Sequence, residues 1–335
     1  MTIRDPRRLG TIADDRLENT PQKQRIMLIY CAIVGALSVV TTIALYFLDT
    51  QIAGTGGLKH MAARSMLSTV RTILPFAQML ALMVLELGLT AVMLRMGRRQ
   101  FVSPNTLRAG LGRFWAMVRT VVLQCLIYLA LGIAAMNVAT IVFFLTPLSD
   151  SVMELLIPLV SVQSDPYALL DQMSADPALM DSFLSGVLPL YILVGVIFLA
   201  LLIPVSYRLR MVNYVLMDDP KAGAFRAVGQ SRAMMKGNCN ALLRVDLGLW
   251  WYHVLTVLIL VLSYGNLLLP MLGVSLPMSA DAAMYLFYAL GLIAQLAQYY
   301  FLYPKVGTVY ALCYDCVRPK EEPGGGAVLG NIFQM

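Results

Sequence analysis

The hydrophobic residues of the chain fall into long runs separated by polar connections, and six of these runs are long enough to cross a bilayer. A helix that spans the hydrocarbon core needs about 20 mainly apolar residues. The segments that qualify are residues 26–48, 73–95, 118–146, 187–216, 241–264 and 283–312. The pattern therefore predicts an all-α fold, a polytopic membrane bundle of six transmembrane helices.

The composition agrees with this prediction. The chain has 335 residues, of which 59% are hydrophobic and only 13% are charged, whereas a soluble domain needs more charge to cover its surface. The net charge of +6 resides largely in connections beside apolar runs, which is typical of membrane orientation. No aromatic-and-basic nucleic-acid motif accompanies it, so we expect no nucleic-acid partner.

The distribution of charge predicts the orientation of the helices. Residues 150–181 contain six acidic residues and no Lys or Arg, while the second and fourth connections are rich in Arg and Lys. The positive-inside rule then places these basic connections and both termini in the cytoplasm of a cell-membrane protein. Lys59, Arg64 and Arg71 are exceptions, because they fall in an outward connection.

This orientation divides the chain into three parts. Residues 1–25 form a cytoplasmic polar segment, residues 26–316 the six-helix transmembrane domain and residues 317–335 a flexible cytoplasmic tail. Within the domain, the acidic connection 148–186 lies outside. Asp-Pro pairs at 165–166 and 176–177 predict two short surface helices there, because Asp caps a helix and Pro suits its first position.

Two basic connections also contain amphipathic segments, at residues 104–116 and 220–236. In the first, Leu107, Leu111, Phe114 and Val118 form a stripe at α-helical spacing. Such segments are expected to lie in the interface, with apolar faces in the acyl region and basic side chains on anionic lipid headgroups. Each half of the chain then has a span, an amphipathic helix and a span, so the two halves are loosely related. The predicted headgroup contacts are Arg108, Arg113, Arg119, Lys221, Arg226 and Lys236.

The stretch "RAMMKGNCNALLRVDLGLWWYHV", from residue 232 to residue 254, is unusually polar for this chain. Gly237 is predicted to end the amphipathic helix in a left-handed conformation, and Asn238 or Asn240 to cap the next helix. Asp246, inside the start of the fifth span, is predicted to form a structural ion pair with Arg208 or Arg210. The stretch is thus a corner between the membrane surface and a span.

Enzyme motifs are nearly absent, so we expect no catalytic residues, no metal and no cofactor. His60 and His253 lie apart in the predicted topology, and neither a phosphate-binding loop nor a dinucleotide motif occurs. Cys313 and Cys316 form a CxxC motif without a second pair, which favours two incidental thiols.

The best candidate for function is Glu86, an acid inside the second span. Intramembrane acids are rare and usually face a bundle interior or a cavity. The alternative is a hydrogen-bonded carboxyl group that only fixes helix packing. Polar residues on other spans complete a candidate intramembrane site: Gln124, Tyr128, Gln295 and Gln298.

Three passages resemble a bacterial integral-membrane family called domain of unknown function 975. They are "SRAMMKGNCNALLRVDLGLWWY", "LELGLTAVMLRMGRRQFVSPNTLRAGLGRF" and "YPKVGTVYALCYDCVRP". Ser231, Arg232, Met235 and the following Lys-Gly-Asn match the family signature, whereas Gly248, Leu249 and Trp250 depart from it. The resemblance implies a multi-span protein of no assigned activity. A more distant likeness to the membrane domain of glycerophosphodiester phosphodiesterases implies a lipid connection without catalytic residues.

Two classes of function follow from these observations. The first is a non-enzymatic protein in transport of a small molecule or lipid, or in envelope organisation. The second is a scaffold or regulatory partner of other membrane proteins. A transporter needs a polar cavity lined by Glu86 and the glutamines, whereas a scaffold packs that region shut.

Overall fold

The computed structural model of the chain describes residues 6–54, 61–150, 153–154, 177–271, 273–274 and 278–319. The structure is 88% helical, and none of the described residues lies in a β-strand. In chain order the α-helices are α1 (Pro6–Glu18), α2 (Lys23–Gly54), α3 (Met61–Gly97), α4 (Phe114–Phe144), α5 (Pro177–Leu209), α6 (Val212–Asp218), α7 (Ala224–Met235), α8 (Cys239–Gly248), α9 (Trp250–Ser263), α10 (Gly265–Met271), α11 (Ala280–Phe301) and α12 (Tyr303–Val317). A 3-10 helix, Pro104–Arg113, joins α3 to α4.

The chain forms two compact units. The first contains residues 1–120 and 210–335, and the second contains residues 121–209. In the first unit, α2 packs against α3 and α11, and α11 packs against α9. In the second unit, α4 and α5 leave many large apolar side chains exposed, as expected of helices surrounded by lipid. Examples are Leu126, Leu129, Ile133, Ile192, Val196 and Leu199.

The predicted polytopic helix bundle is confirmed. Five described helical stretches are long and apolar enough to cross a membrane, and there are six if a bent pair counts as one span. That pair is α8 and α9, which meet at 70° where a single straight span, 241–264, was predicted. The backbone of Leu249 leaves the helical region (φ −104°, ψ 19°), directly after Gly248, a weak helix former.

The predicted sixth span, 283–312, is also interrupted. It ends as α11 at Phe301, and α12 begins at Tyr303. Pro304 explains the break, because proline has no N–H to continue the hydrogen-bond ladder of α11 but is tolerated in the first turn of α12. Most of α12 is buried against α3 and α1, so it belongs to the protein interior rather than to a lipid-facing span.

The polar N-terminal segment contains a helix that the sequence pattern did not predict. Leu9, Ala13 and Leu17 are buried and recur every four residues, which places them on one face of α1. Two ion pairs hold the opposite, charged side in place: Asp14 to Lys305 at 2.7 Å and Asp15 to Arg99 at 2.6 Å. α1 thus packs as part of the first unit.

The first amphipathic segment is helical as predicted, but the predicted α-helical period was wrong. Residues 104–113 form a 3-10 helix with three residues per turn, so Leu107 and Gly110 share the buried face while Leu111 is 63% exposed. This helix lies directly against α3. A Cβ atom on Gly88 would overlap the carbonyl oxygen of Leu107, and one on Gly110 would overlap that of Val84.

The second amphipathic segment is the helix α7, and its predicted apolar arc is buried. Ala224, Ala227 and Val228, together with two methionines near its end, pack against the protein. The arc is therefore filled by protein side chains and not by acyl chains, which corrects the predicted interfacial burial. Gly237 adopts φ +86°, which confirms the predicted left-handed end of the helix. Asn238 occupies the N-cap of α8, but its side chain donates to the carbonyl of Met234.

The two Asp-Pro surface helices were predicted in the acidic connection. The first Asp-Pro pair and the helix predicted after it lie outside the described residues, as does the tail from residue 320. Pro177, however, is the first residue of α5, where the second short helix was predicted. There the chain enters a 33-residue helix rather than a separate surface helix.

Candidate functional site

Glu86 lies on the side of α3 that packs against α12. Residues at i, i+7 and i+11 share one helix face, so Glu86, Met93 and Gly97 lie in line. Met93 faces Gly307 and Gly97 faces Ala311, both on α12. Glu86 continues this face toward the start of α12, and its side chain is exposed rather than packed shut.

Five tyrosines on other helices lie within electrostatic range of Glu86. Its carboxyl group lies close enough to interact electrostatically with the hydroxyl groups of all five. We call this set the Glu86 cluster; besides Glu86 it contains Tyr30 of α2, Tyr214 of α6, Tyr252 of α9, Tyr299 of α11 and Tyr303 of α12.

Ring contacts and hydrogen bonds connect part of the Glu86 cluster. The ring of Tyr299 lies 5.5 Å from that of Tyr30 and 5.4 Å from that of Tyr303, measured between centroids. Gln295 precedes Tyr299 by four residues, so both lie on the same face of α11. Gln298 donates to the hydroxyl of Thr256 at 2.7 Å and to the carbonyl of Tyr252 at 3.4 Å. Both predicted glutamines of α11 therefore adjoin this cluster.

The other two residues of the predicted site lie in the second unit. Gln124 and Tyr128 are on α4. Tyr128 lines a shallow, mainly apolar groove of about 380 Å³ together with Asn137 of α4 and Phe198 of α5. The predicted five residues are thus divided: Glu86, Gln295 and Gln298 are in one compact unit, and Gln124 and Tyr128 are in the other.

Glu86 lies well inside α3, whereas Tyr252 and Tyr299 lie near the ends of their own helices. α3 continues for about 16 Å after Glu86, at 1.5 Å per residue. However, the residues of α3 from Leu87 to Leu94 are almost all buried, beside the 3-10 helix and α12. In contrast, Tyr252 and Tyr299 lie within one turn of the breaks at Leu249 and Leu302. The Glu86 cluster is therefore located where two helices are broken.

Asp246 forms a second polar group at the break between α8 and α9. Its carboxylate lies 3.3 Å from Arg210 and accepts a hydrogen bond from the hydroxyl of Tyr310 at 2.5 Å. The guanidinium of Arg210 also sits 4.7 Å from the ring centre of Tyr310. Burial raises the pKa of Tyr310, so its hydroxyl remains a donor. Arg208, the other predicted partner, belongs to the second unit.

The sequence pattern missed a third polar group, which joins three elements of the first unit. Arg98 pairs with Asp218 at 2.5 Å and with Asp315 at 2.6 Å, and Arg318 pairs with Asp218 at 2.7 Å. Tyr314 donates to Asp218 as well. Burial alone lowers the pKa of Arg98, but the hydrogen bonds and charges of the two aspartates more than reverse this and hold it above its ordinary value. No local motif signals this group, because its members are far apart in the chain.

One predicted headgroup residue makes a different contact. The guanidinium of Arg113 donates to the backbone carbonyls of Leu216, Asp219, Pro220 and Ala222, which end α6 and form the turn before α7. Arg226 lies 3.6 Å from Asp219. The remaining predicted headgroup residues are exposed: Arg108, Arg119, Lys221 and Lys236.

The CxxC motif does not form a metal site with other residues of the described part of the chain. No group of three or more His, Cys, Asp or Glu side chains there is arranged to hold a metal ion. Cys313 is buried, and burial raises the pKa of its thiol, which opposes the thiolate form that metals and electrophiles require.

These features define a class of protein: a polytopic α-helical membrane protein with an exposed glutamate on a membrane-spanning helix. The chain belongs to the family described as "Protein of unknown function (DUF975)", whose model matches residues 8–317. The family assignment confirms the resemblance seen in the sequence and assigns no activity. Searches of curated proteins and of solved structures gave no significant match.

Proposed function

We propose that this protein is a non-enzymatic transporter of a small molecule or lipid, and that the Glu86 cluster is its substrate site. The observation that carries the proposal is Glu86, an exposed acidic residue within a helical span, in a unit where two other helices are broken at Leu249 and Leu302. An acid on a membrane-spanning helix is costly unless it meets water, a partner or a substrate.

The position of the cluster supports this proposal. Transporters commonly bind substrate where membrane helices are interrupted, because the freed backbone groups and the change of direction create a polar space. The breaks at Leu249 and Leu302 lie within one turn of Tyr252, Tyr299 and Tyr303. A scaffold, the competing class, would favour a closed region here, and the accessible side chains of Glu86 and Gln295 argue against that.

We also propose a cellular location and a membrane orientation for the protein. We place the protein in the cell membrane with both termini and the basic connections in the cytoplasm, where exposed Arg108, Arg119 and Lys236 would face anionic lipid headgroups. The distribution of Lys and Arg in the sequence supports this orientation.

Glu86→Gln is expected to reduce uptake by purified protein in liposomes by roughly tenfold or more, because an interaction with a charged group is worth about 1.5–3 kcal/mol. The amide preserves the shape of the side chain and removes its charge. Uptake would be measured by incubating the proteoliposomes with a cell extract and identifying the enclosed compounds by mass spectrometry.

The matched control is Glu154→Gln, the same chemical change at an exposed glutamate of the second unit. It should leave uptake unchanged. If no compound enters wild-type vesicles above protein-free vesicles, or if Glu86→Gln takes up the same compounds at the wild-type rate, the proposed transport through this cluster is wrong.

The orientation predicts which side of the membrane a thiol reagent can reach. In a cysteine-free variant, a cysteine at Gln230 on α7 should be protected from an impermeant maleimide added to intact cells. A cysteine at exposed Ser279, just before α11, should be labelled. The reverse labelling pattern would show that the basic connections face outward.

A further inference from the structure

We propose that a cavity between α1, α2 and the junction of α11 with α12 binds the headgroup of a phospholipid that carries an ammonium group. The cavity has a volume of about 410 Å³. This volume is within the range of about 300–1,000 Å³ that is typical of small-molecule sites. Glu86 does not line the cavity, so the inference is independent of the proposed transport.

The cavity lies where two membrane-spanning helices end. Lys23, the first residue of α2, and Phe301, the last residue of α11, both line it. These two helices pack against each other, and each is long and apolar enough to cross a membrane. The end of a span is the level of the lipid headgroups, where basic and aromatic side chains are common. The phospholipids of one leaflet can therefore reach the cavity.

The apolar part of the lining suits the region where a headgroup meets its acyl chains. Leu17 of α1 and Met27 of α2 are buried beside the cavity, whereas Phe301 is exposed. The ring of Tyr300, which also lines the cavity, lies 4.8 Å from that of Phe301 between centroids. Aromatic rings at this level have one apolar side and one polar surrounding, as the glycerol region of a phospholipid does.

Four charged side chains line the cavity, two of each sign. Lys305 of α12 and Asp14 of α1 neutralise each other at a distance of 2.7 Å. Glu18 and Lys23 line the same cavity, and neither forms an ion pair with another residue of the described ranges. The cavity therefore offers one cation and one anion that a ligand of both charges can pair with.

The headgroup of phosphatidylethanolamine has the complementary charges. Its phosphodiester is a ligand for the ammonium group of Lys23, and its own ammonium group can donate charge-assisted hydrogen bonds to the carboxylate of Glu18. Phosphatidylglycerol has a neutral hydroxyl in place of this ammonium group, so it leaves Glu18 without a counterion. Phosphatidylcholine has a cation without an N–H donor. The lining thus favours phosphatidylethanolamine over both.

Native mass spectrometry of the full-length protein tests this preference. The protein in detergent is titrated with phosphatidylethanolamine, phosphatidylglycerol or phosphatidylcholine of identical acyl chains, and the fraction that carries one lipid gives each affinity. We expect phosphatidylethanolamine to bind about fivefold more tightly than the other two. The difference is moderate because the charge pair that distinguishes the lipids is partly exposed to solvent.

Two variants assign the preference to this cavity. Glu18→Gln should weaken the binding of phosphatidylethanolamine by about fivefold and leave that of phosphatidylglycerol unchanged. Lys23→Gln should weaken the binding of all three lipids, because each of them has the phosphate. The matched controls are Glu154→Gln and Lys221→Gln, the same changes at exposed residues that do not line the cavity. They should alter each affinity by less than about twofold.

The source of the ligand is tested with soluble glycerophosphoethanolamine, which has the same charges without acyl chains. It should not displace the lipid at equal concentration, because it lacks the apolar contacts of the chains. If it does, the ligand is a soluble zwitterion and the assignment to a lipid is wrong. Equal affinities for the three lipids, or a preference for phosphatidylethanolamine that survives Glu18→Gln, would overturn the site.

Discussion

Gly88→Ala is expected to lower the free energy of unfolding by about 2 kcal/mol, although alanine is the better helix former. At this position α3 and the 3-10 helix are in backbone contact, and a Cβ atom would overlap the carbonyl oxygen of Leu107. Overpacking of this kind costs about 3 kcal/mol, because neither helix backbone can move without disturbing its other contacts. The higher helix propensity of alanine offsets only about 1 kcal/mol of this cost.

The effect would be measured by equilibrium unfolding in mixed micelles with increasing SDS. Gly112→Ala is the matched control, because it lies in the same 3-10 helix with nothing within 4 Å of the added carbon. It should be neutral or slightly stabilising. Gly110→Ala should resemble Gly88→Ala, and the double variant should lose less than the two single losses together, since both changes separate the same two backbones. A Gly88→Ala protein as stable as wild type would contradict the backbone contact.

Arg113→Met is expected to lower the free energy of unfolding by about 3 kcal/mol. Its guanidinium satisfies carbonyl groups of Leu216, Asp219 and Ala222, at 3.2, 2.8 and 2.9 Å, and that of Pro220 as well. The carbonyl of Leu216 lies in the last turn of α6, where the helix itself provides no donor, while that of Asp219 also accepts from the backbone N–H of Ala222 at 3.0 Å. Each hydrogen bond to a charged group contributes about 1.5–3 kcal/mol. Because the four carbonyls share one donor group, the expected loss is smaller than the sum for four independent hydrogen bonds.

The matched control for this prediction is Arg108→Met, which removes the same charge from an exposed position on the same 3-10 helix. It should change the free energy of unfolding by less than about 0.5 kcal/mol. Arg113→Lys should recover only part of the stability, because one ammonium group cannot reproduce the planar fork of the guanidinium. If Arg113→Met behaves like Arg108→Met, then Arg113 does not stabilise the turn between α6 and α7.

The candidate site was predictable only in part. Glu86, Gln295 and Gln298 were identified because a polar residue inside a long apolar run has a high desolvation cost, and this cost is visible in the sequence. The five tyrosines around Glu86 were not identified. Tyrosine occurs on both buried and exposed helix faces, and these five come from positions between Tyr30 and Tyr303. Only the packing of α2, α3 and α11 brings part of this set together.

The corner in residues 232–254 was also predicted only in part. Gly237 was predicted to adopt a positive φ, because only glycine does so without strain, and it has φ +86°. The 70° bend a few residues later was not predicted, since the run 241–264 is mainly apolar and a single Gly248 is tolerated in many helices. In the structure, Asp246, Arg210 and Tyr310 form a polar contact at this bend.

The sequence by itself determined the approximate positions of the apolar helices, and thereby the polytopic helical fold. These properties depend on hydrophobic length and local backbone preference, which neighbouring residues along the chain decide. The tertiary structure alone decided that residues 104–113 form a 3-10 helix against Gly88, and that α12 is buried. These outcomes depend on close packing between segments far apart in the chain, and no local pattern records which surfaces will meet.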